Sequence, residues 1–109
     1  MSENIQEVNE TNFKNVVLQC DKPVLVDCWA PWCRPCLIQQ PILKKVADEF
    51  EGKALITSLN AEENRKTAQK LNIHSIPTLV IFKNGEETRR FVGIQKADSL
   101  TKALEALVP

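Results

Sequence analysis

Apolar positions recur along this chain in two different periods, and the switches between them mark out its elements. Ile5 and Val8 stand in an otherwise polar start and read as a short first strand. From Thr11 to Gln19, Phe13, Val16 and Val17 fall on one face of a helix. Asp21-Lys22-Pro23 breaks that pattern. Val24-Leu25-Val26-Asp27-Cys28-Trp29 follows, apolar without alternation, as expected of a strand covered on both faces. A carboxylate inside such a strand, Asp27, is the anomaly.

From Cys33 onward the period changes. Leu37, Ile38, Ile42, Leu43, Val46, Ala47 and Phe50 repeat at helical spacing, giving a long helix that Pro41 is expected to kink and Gly52 to close. Ala54, Leu55, Ile56 and Leu59 make another buried strand ending near Asn60, and Glu62 to Leu71 reads as an amphipathic helix. Thr78 to Phe82, entered through Pro77, is a further apolar strand. Asn84-Gly85 then signals a hairpin into Glu87 to Val92. Lys96 to Leu107 closes the chain as a helix with Leu100, Ala103, Leu104 and Leu107 inward. Strands and helices alternate first and then give way to a hairpin and one helix. The expected class is α/β, a mixed sheet with helices on both faces, in a single domain over residues 1–109.

Composition narrows the function. Fourteen basic and fourteen acidic residues leave no formal net charge, which argues against a nucleic-acid surface and for apolar, shape-based recognition of partners. Met1 to Glu10 shows no basic start followed by an apolar stretch, and no apolar run is long enough to span a membrane. The expected setting is a cytoplasmic, reducing one, where four cysteines point to catalysis or metal binding more than to structural disulfides.

The chemistry concentrates in W-A-P-W-C-R-P-C, Trp29 to Cys36. At the start of a helix Cys33 and Cys36 lie one turn apart, near enough for a disulfide to open and close. Pro35 suits a first turn, whose amides have no intrahelical partner, and the free amides and dipole there favour a thiolate. Cys33 is therefore the candidate nucleophile. The alternative is a pair of zinc ligands completed by Cys20, Cys28 or His74, but the spacings do not match common zinc modules.

With V-D-C-W-A-P-W-C-R-P-C at Val26 to Cys36, Pro41, I-P-T at Ile76 to Thr78, F-K-N-G at Phe82 to Gly85 and V-G at Val92 and Gly93, the chain resembles the thioredoxin family over nearly its whole length. The resemblance implies a thioredoxin fold, a central mixed sheet of about five strands flanked by four helices. It also implies a protein-disulfide reductase in which Cys33 attacks a partner disulfide and Cys36 resolves the mixed disulfide, closing a Cys33–Cys36 bridge. Asp27 becomes general acid/base for Cys36, with Arg34 and Pro35 tuning the dithiol. Pro77 is expected cis, Ile76 offers its main chain to an extended substrate strand, and Trp32, Ile76, Pro77 and Gly93 form the substrate collar. Trp29 buttresses the loop. No bound cofactor is implied. Electrons come from NADPH through a flavin-dependent thioredoxin reductase, and the partners are that reductase and disulfide-containing clients of a monomer.

Three departures qualify the resemblance. Arg34 stands where glycine is usual, and a cation beside Cys33 favours the thiolate and a more oxidising pair. Leu37 and Ser58 hold positions that often carry lysine, so Asp27 is expected to hold its proton more tightly. Cys28 replaces a common phenylalanine. Cys20 and Cys28 are expected to act as small apolar side chains, with Cys20 a secondary redox candidate, and His74 to be a solvated loop residue. The rival readings are a more oxidising disulfide oxidase or isomerase on the same fold, and a docking module with an idle dithiol.

Overall fold

The structure, a computed structural model, describes residues 4–109; positions 1–3 of the polar start lie outside the described residues. Five strands form one sheet in the order β1, β3, β2, β4, β5: β1 (Ile5–Val8), β2 (Val24–Trp29), β3 (Leu55–Asn60), β4 (Thr78–Lys83) and β5 (Glu86–Val92). β3 runs parallel to β1 and β2, while β4 runs antiparallel to β2 and β5. The helical elements are a π-helical turn at Lys14–Leu18, α1 (Arg34–Glu49), α2 (Arg65–Lys70) and α3 (Ala97–Glu105). This is the mixed α/β arrangement that the apolar pattern predicts.

The unbroken apolar run of β2 has its reason in the layering. Side chains alternate across a strand, so Leu25 joins Leu43, Val46, Ile81 and Leu104 in the core beneath α1 and α3. Val24, Val26 and Cys28 join Phe13, Val17, Leu59 and Phe82 in a second core on the other face. By the same alternation Asp27 points to the α1 side, two residues on from Leu25. Within that second core the rings of Phe13 and Phe82 meet edge to face, their centroids 5.9 Å apart.

Four expectations change. The helix expected at Thr11 to Gln19 is instead a short irregular turn. Val16 N–H donates to Asn12 O, as in an α-helix, but Gln19 N–H reaches back to Lys14 O, one residue further. Adjacent β-branched Val16 and Val17 support a regular helix weakly, and burial of Phe13 and Val17 decides the geometry. The helix expected over Glu62 to Leu71 begins only at Arg65, because the Asn60 side chain accepts the N–H groups of Glu62 and Glu63 and holds them in a separate turn. The closing helix is Ala97–Glu105 rather than Lys96 to Leu107, its end tightened where Leu107 N–H donates to Leu104 O. In α1 the buried stripe is Cys36, Gln39, Leu43, Val46 and Ala47, so Leu37 and Ile38, although apolar, project into solvent.

The β4–β5 hairpin turns on Asn84 and Gly85, both with positive φ (53° and 81°), as a two-residue turn between twisted strands requires. Gly85 has a second constraint, since a Cβ there would sit 2.9 Å from the Leu18 carbonyl oxygen. Gly52, also at φ 81°, faces open space. Gly85→Ala is therefore expected to cost about 2–3 kcal/mol in urea unfolding, and Gly52→Ala about 1 kcal/mol. Equal losses would show that the approach to Leu18 does not matter.

Candidate active site

β2 ends at Trp29, and a four-residue loop of Ala30, Pro31, Trp32 and Cys33 carries the chain into α1. Cys33 is the N-cap of that helix, in extended conformation, and Pro35 occupies its first turn. The Cys36 N–H donates to Cys33 Sγ at 3.3 Å, so a helix-terminal amide is aimed at the sulfur. The two cysteines form a disulfide with their Cα atoms 5.3 Å apart. They are not equivalent: Cys33 keeps 5% of its surface exposed and Cys36 none, so a partner meets Cys33 first. Arg34 and Pro35 are exposed beside it.

The other segments converge here. Ile76–Pro77 is cis, and the Ile76 carbonyl oxygen lies 3.8 Å from Cys33 Sγ. Ile76 and Trp29, both partly buried, pack against the small cluster of Ala30, Cys33 and Cys36. Gly93 N–H donates to Pro77 O at 2.8 Å, which ties the end of β5 to the proline loop. Trp32 stands 71% exposed over this surface, with its indole N–H donating to the Glu62 carboxylate. The structure thus gathers Cys33, Cys36, Trp32, Ile76, Pro77 and Gly93 at one end of the sheet.

Asp27 is 1% exposed, and its Oδ1 has no hydrogen-bond partner. Burial raises its pKa from 3.8 to about 7. A cavity of about 390 Å³ reaches it from the side of α1, lined also by Pro41, Lys44 and Ser58. The next residue has the opposite fate: burial first, and then the neighbouring Asp27 charge, push the Cys28 thiol up to about 12. Cys28 is therefore protonated and inert at physiological pH. Cys20 is free and half-buried and His74 is exposed; among the described residues no three His, Cys, Asp or Glu side chains come together to hold a metal ion.

The thioredoxin family model matches residues 4–106, the length over which this geometry is built. The chain belongs to the thioredoxin family. It is similar to thioredoxin 1 of Nostoc sp., 42% identical over 91% of this chain and 92% of that protein. The thioredoxin of Rickettsia prowazekii is 42% identical over 88% of this chain and 91% of its own. The chloroplastic M-type thioredoxin of Spinacia oleracea is 41% identical over 93% of this chain, which spans 56% of the spinach protein's length. The Cys33–Cys36 pair makes this thioredoxin-family chain a thiol-disulfide oxidoreductase of the protein-disulfide reductase type, acting on disulfide-containing client proteins. Among the described residues no helix is long and apolar enough to cross a membrane.

Two residues that shape this thioredoxin site escape a reading of its apolar pattern. Gln39, fully buried, donates from Nε2 to Gln95 O at 3.1 Å and accepts from Gln95 N–H at 2.7 Å, clamping the segment after Gly93 to α1. Its signal was position, since it falls on the Cys36, Leu43, Val46 stripe where an apolar residue is expected. Arg90 donates to the carbonyl oxygens of Leu71 and Asn72 and pairs with Glu87, anchoring the end of α2 ahead of the proline loop. Nothing local in the sequence announces that contact.

Because the folded pKa of Asp27 is raised, its native state binds the proton more tightly than the unfolded chain. Asp27 therefore costs no stability below about pH 4, and an increasing amount as pH rises toward 7. Asp27→Asn is expected to unfold later in urea than the parent at pH 8, by on the order of 3 kcal/mol, and the gap should close by pH 4. A gap independent of pH would show that Asp27 titrates normally.

Proposed function

We propose that the protein reduces client disulfides as a cytoplasmic, monomeric thioredoxin-type electron carrier, one domain over residues 1–109 with no cofactor of its own. Electrons reach it from NADPH through a flavin-dependent thioredoxin reductase. The observation that carries the direction of attack is the unequal burial of the two sulfurs, with the Cys36 amide directed at Cys33 Sγ.

In the reduced protein a Cys33 thiolate is favoured by that amide and by the helix terminus. It attacks one sulfur of the client disulfide, the S–S bond breaks, and the other client sulfur leaves as a thiolate. Cys36, once deprotonated, attacks Cys33 Sγ in the mixed disulfide. The second client sulfur leaves, and two electrons have passed from the dithiol to the client. Asp27 is the general base for Cys36; a carboxyl with its pKa near 7 is matched to accept that proton and return it. Trp32, Ile76, Pro77 and Gly93 receive the client, with the Ile76 main chain pairing to an extended strand beside the sulfur. Arg34 and Pro35 tune the pair from the first turn of α1.

The exposed guanidinium of Arg34 favours a second reading, a more oxidising oxidase or isomerase. The reduction potential separates them, measured in glutathione buffers by the fluorescence of Trp29 and Trp32. A value near ~−270 mV supports the reductase, and one of about −180 to −120 mV the oxidising reading. Arg34→Gly is expected to lower it; an unchanged or higher value removes Arg34 from the tuning. No two-electron couple at all would leave the idle docking module.

Asp27→Ala is expected to slow reduction of a protein disulfide and to remove the inflection near pH 7 from the rate profile. If rate and profile are both unchanged, the assignment to Asp27 fails. Cys33→Ser/Cys36→Ser should abolish reduction altogether.

A further inference from the structure

Gln39 lies on the buried stripe of α1, three residues on from Cys36, and both side chains are fully buried. A carboxamide taken out of water into such a position is costly unless both of its ends are bonded. Both are bonded, and to a single residue: Nε2 donates to Gln95 O at 3.1 Å, and Oε1 accepts from Gln95 N–H at 2.7 Å. The side chain pairs with the main chain of Gln95 as one peptide group pairs with another. Leucine or methionine would fill the same place without burying a polar group, so packing alone does not account for a glutamine here.

What the pair holds is irregular chain, residues 93–96, between the end of β5 at Val92 and the start of α3 at Ala97. Among the described residues, two contacts bond residues 93–95 to other elements: the Gln39 pair on α1, and the 2.8 Å bond from Gly93 N–H to Pro77 O. Gln95 also turns its own Nε2 back onto the carbonyl oxygens of Val92 and Gly93, at 3.4 and 3.3 Å, which ties the two ends of that stretch together. A run of hydrogen bonds thus leads from α1, one turn beyond Cys36, through Gln95 and Gly93 to Pro77. The residue before Pro77 is Ile76, whose carbonyl oxygen lies 3.8 Å from Cys33 Sγ. The run starts beside one sulfur and ends beside the other.

We infer that Gln39 is a positioning residue: through Gln95 and Gly93 it holds the cis-proline loop at the distance from the dithiol helix at which the Ile76 main chain pairs with a client. The inference rests on the disulfide-exchange reading above and deepens it, by assigning the spacing between thiols and pairing segment to one buried carboxamide. Its effect belongs to substrates with peptide groups beside the disulfide. A disulfide without them has nothing for Ile76 to pair with, and does not sense the spacing.

The test compares the disulfide-linked dimer of acetyl-Gly-Ala-Cys-Ala-Gly-amide with hydroxyethyl disulfide. Oxidation of the reduced protein is followed by tryptophan fluorescence. Each event converts the Cys33 and Cys36 thiols to a disulfide and one substrate disulfide to two thiols. The quantity read is the ratio of the two second-order rate constants, peptide over hydroxyethyl. In Gln39→Met, which nearly keeps the volume and loses both bonds, the ratio is expected to fall at least about fivefold. Gln39→Asn, one methylene short of Gln95, is expected to do the same, and serves if the methionine variant does not fold. Amide hydrogen exchange should quicken at least about tenfold at Gly93 as well as at Gln95, whereas a side chain that only fills the core would leave Gly93 as protected as in the parent. A smaller fall in the ratio, or unchanged exchange at Gly93, overturns the inference. A parent inert toward both disulfides defeats the dithiol reading and this one together, whereas a reactive parent whose ratio the variants share defeats only the positioning.

Discussion

Burial of β2 on both faces is the constraint on which the site depends. Its side chains belong alternately to two cores, so the strand cannot slide or tilt without disturbing both. The loop to α1 starts at its end and is short, which fixes the N-terminus of that helix, and with it Cys33, relative to the sheet. β4 pairs directly with β2, and its entry through the cis Ile76–Pro77 bond brings the Ile76 carbonyl to the same place. The reactive end of the molecule is built from loops, but each loop leaves a strand or helix that the core does not allow to move.

The same alternation explains why two neighbouring residues in one buried strand have such different chemistry. Asp27 projects to the α1 face, where a cavity reaches it and its oxygen has no partner. Cys28 projects to the opposite face among Val26, Leu59 and Phe82. Burial disfavours the charged form of both. It moves a carboxyl from the acid range to neutrality, where a proton can be exchanged, and moves a thiol beyond any pH the protein meets. One physical effect thus makes one residue useful and silences the other.

The sheet, the order of elements and the dithiol were legible in the sequence because each rests on a strong local signal. Examples are the run at Val24 to Trp29, the Asn84-Gly85 turn and the Cys33–Pro35–Cys36 helix start. The cis geometry of Pro77 and the collar residues came from resemblance alone, since an X-Pro bond reads as trans by default. What was not legible depends on tertiary partners. Apolar Leu37 and Ile38 fall in with the helix's apolar repeat because periodicity does not show where the buried stripe ends, and Gln39, a polar residue on that stripe, does not announce a partner 56 residues away. The turn at Asn60 displaced the start of α2 through side-chain hydrogen bonds to the backbone, which compete with a helix and leave no trace in an amphipathic pattern.

The unequal exposure of the two sulfurs has a consequence for how long a client stays attached. In the mechanism proposed, the thiol that releases the client is Cys36, fully buried and a fixed part of the same molecule one helical turn from Cys33. Release is then a first-order event whose clock is set inside the protein, through the proximity of two groups that never have to find each other. Thiols in the surrounding solution would have to enter a covered site to compete. The covalent complex therefore keeps its own time, largely independent of how reducing its surroundings happen to be.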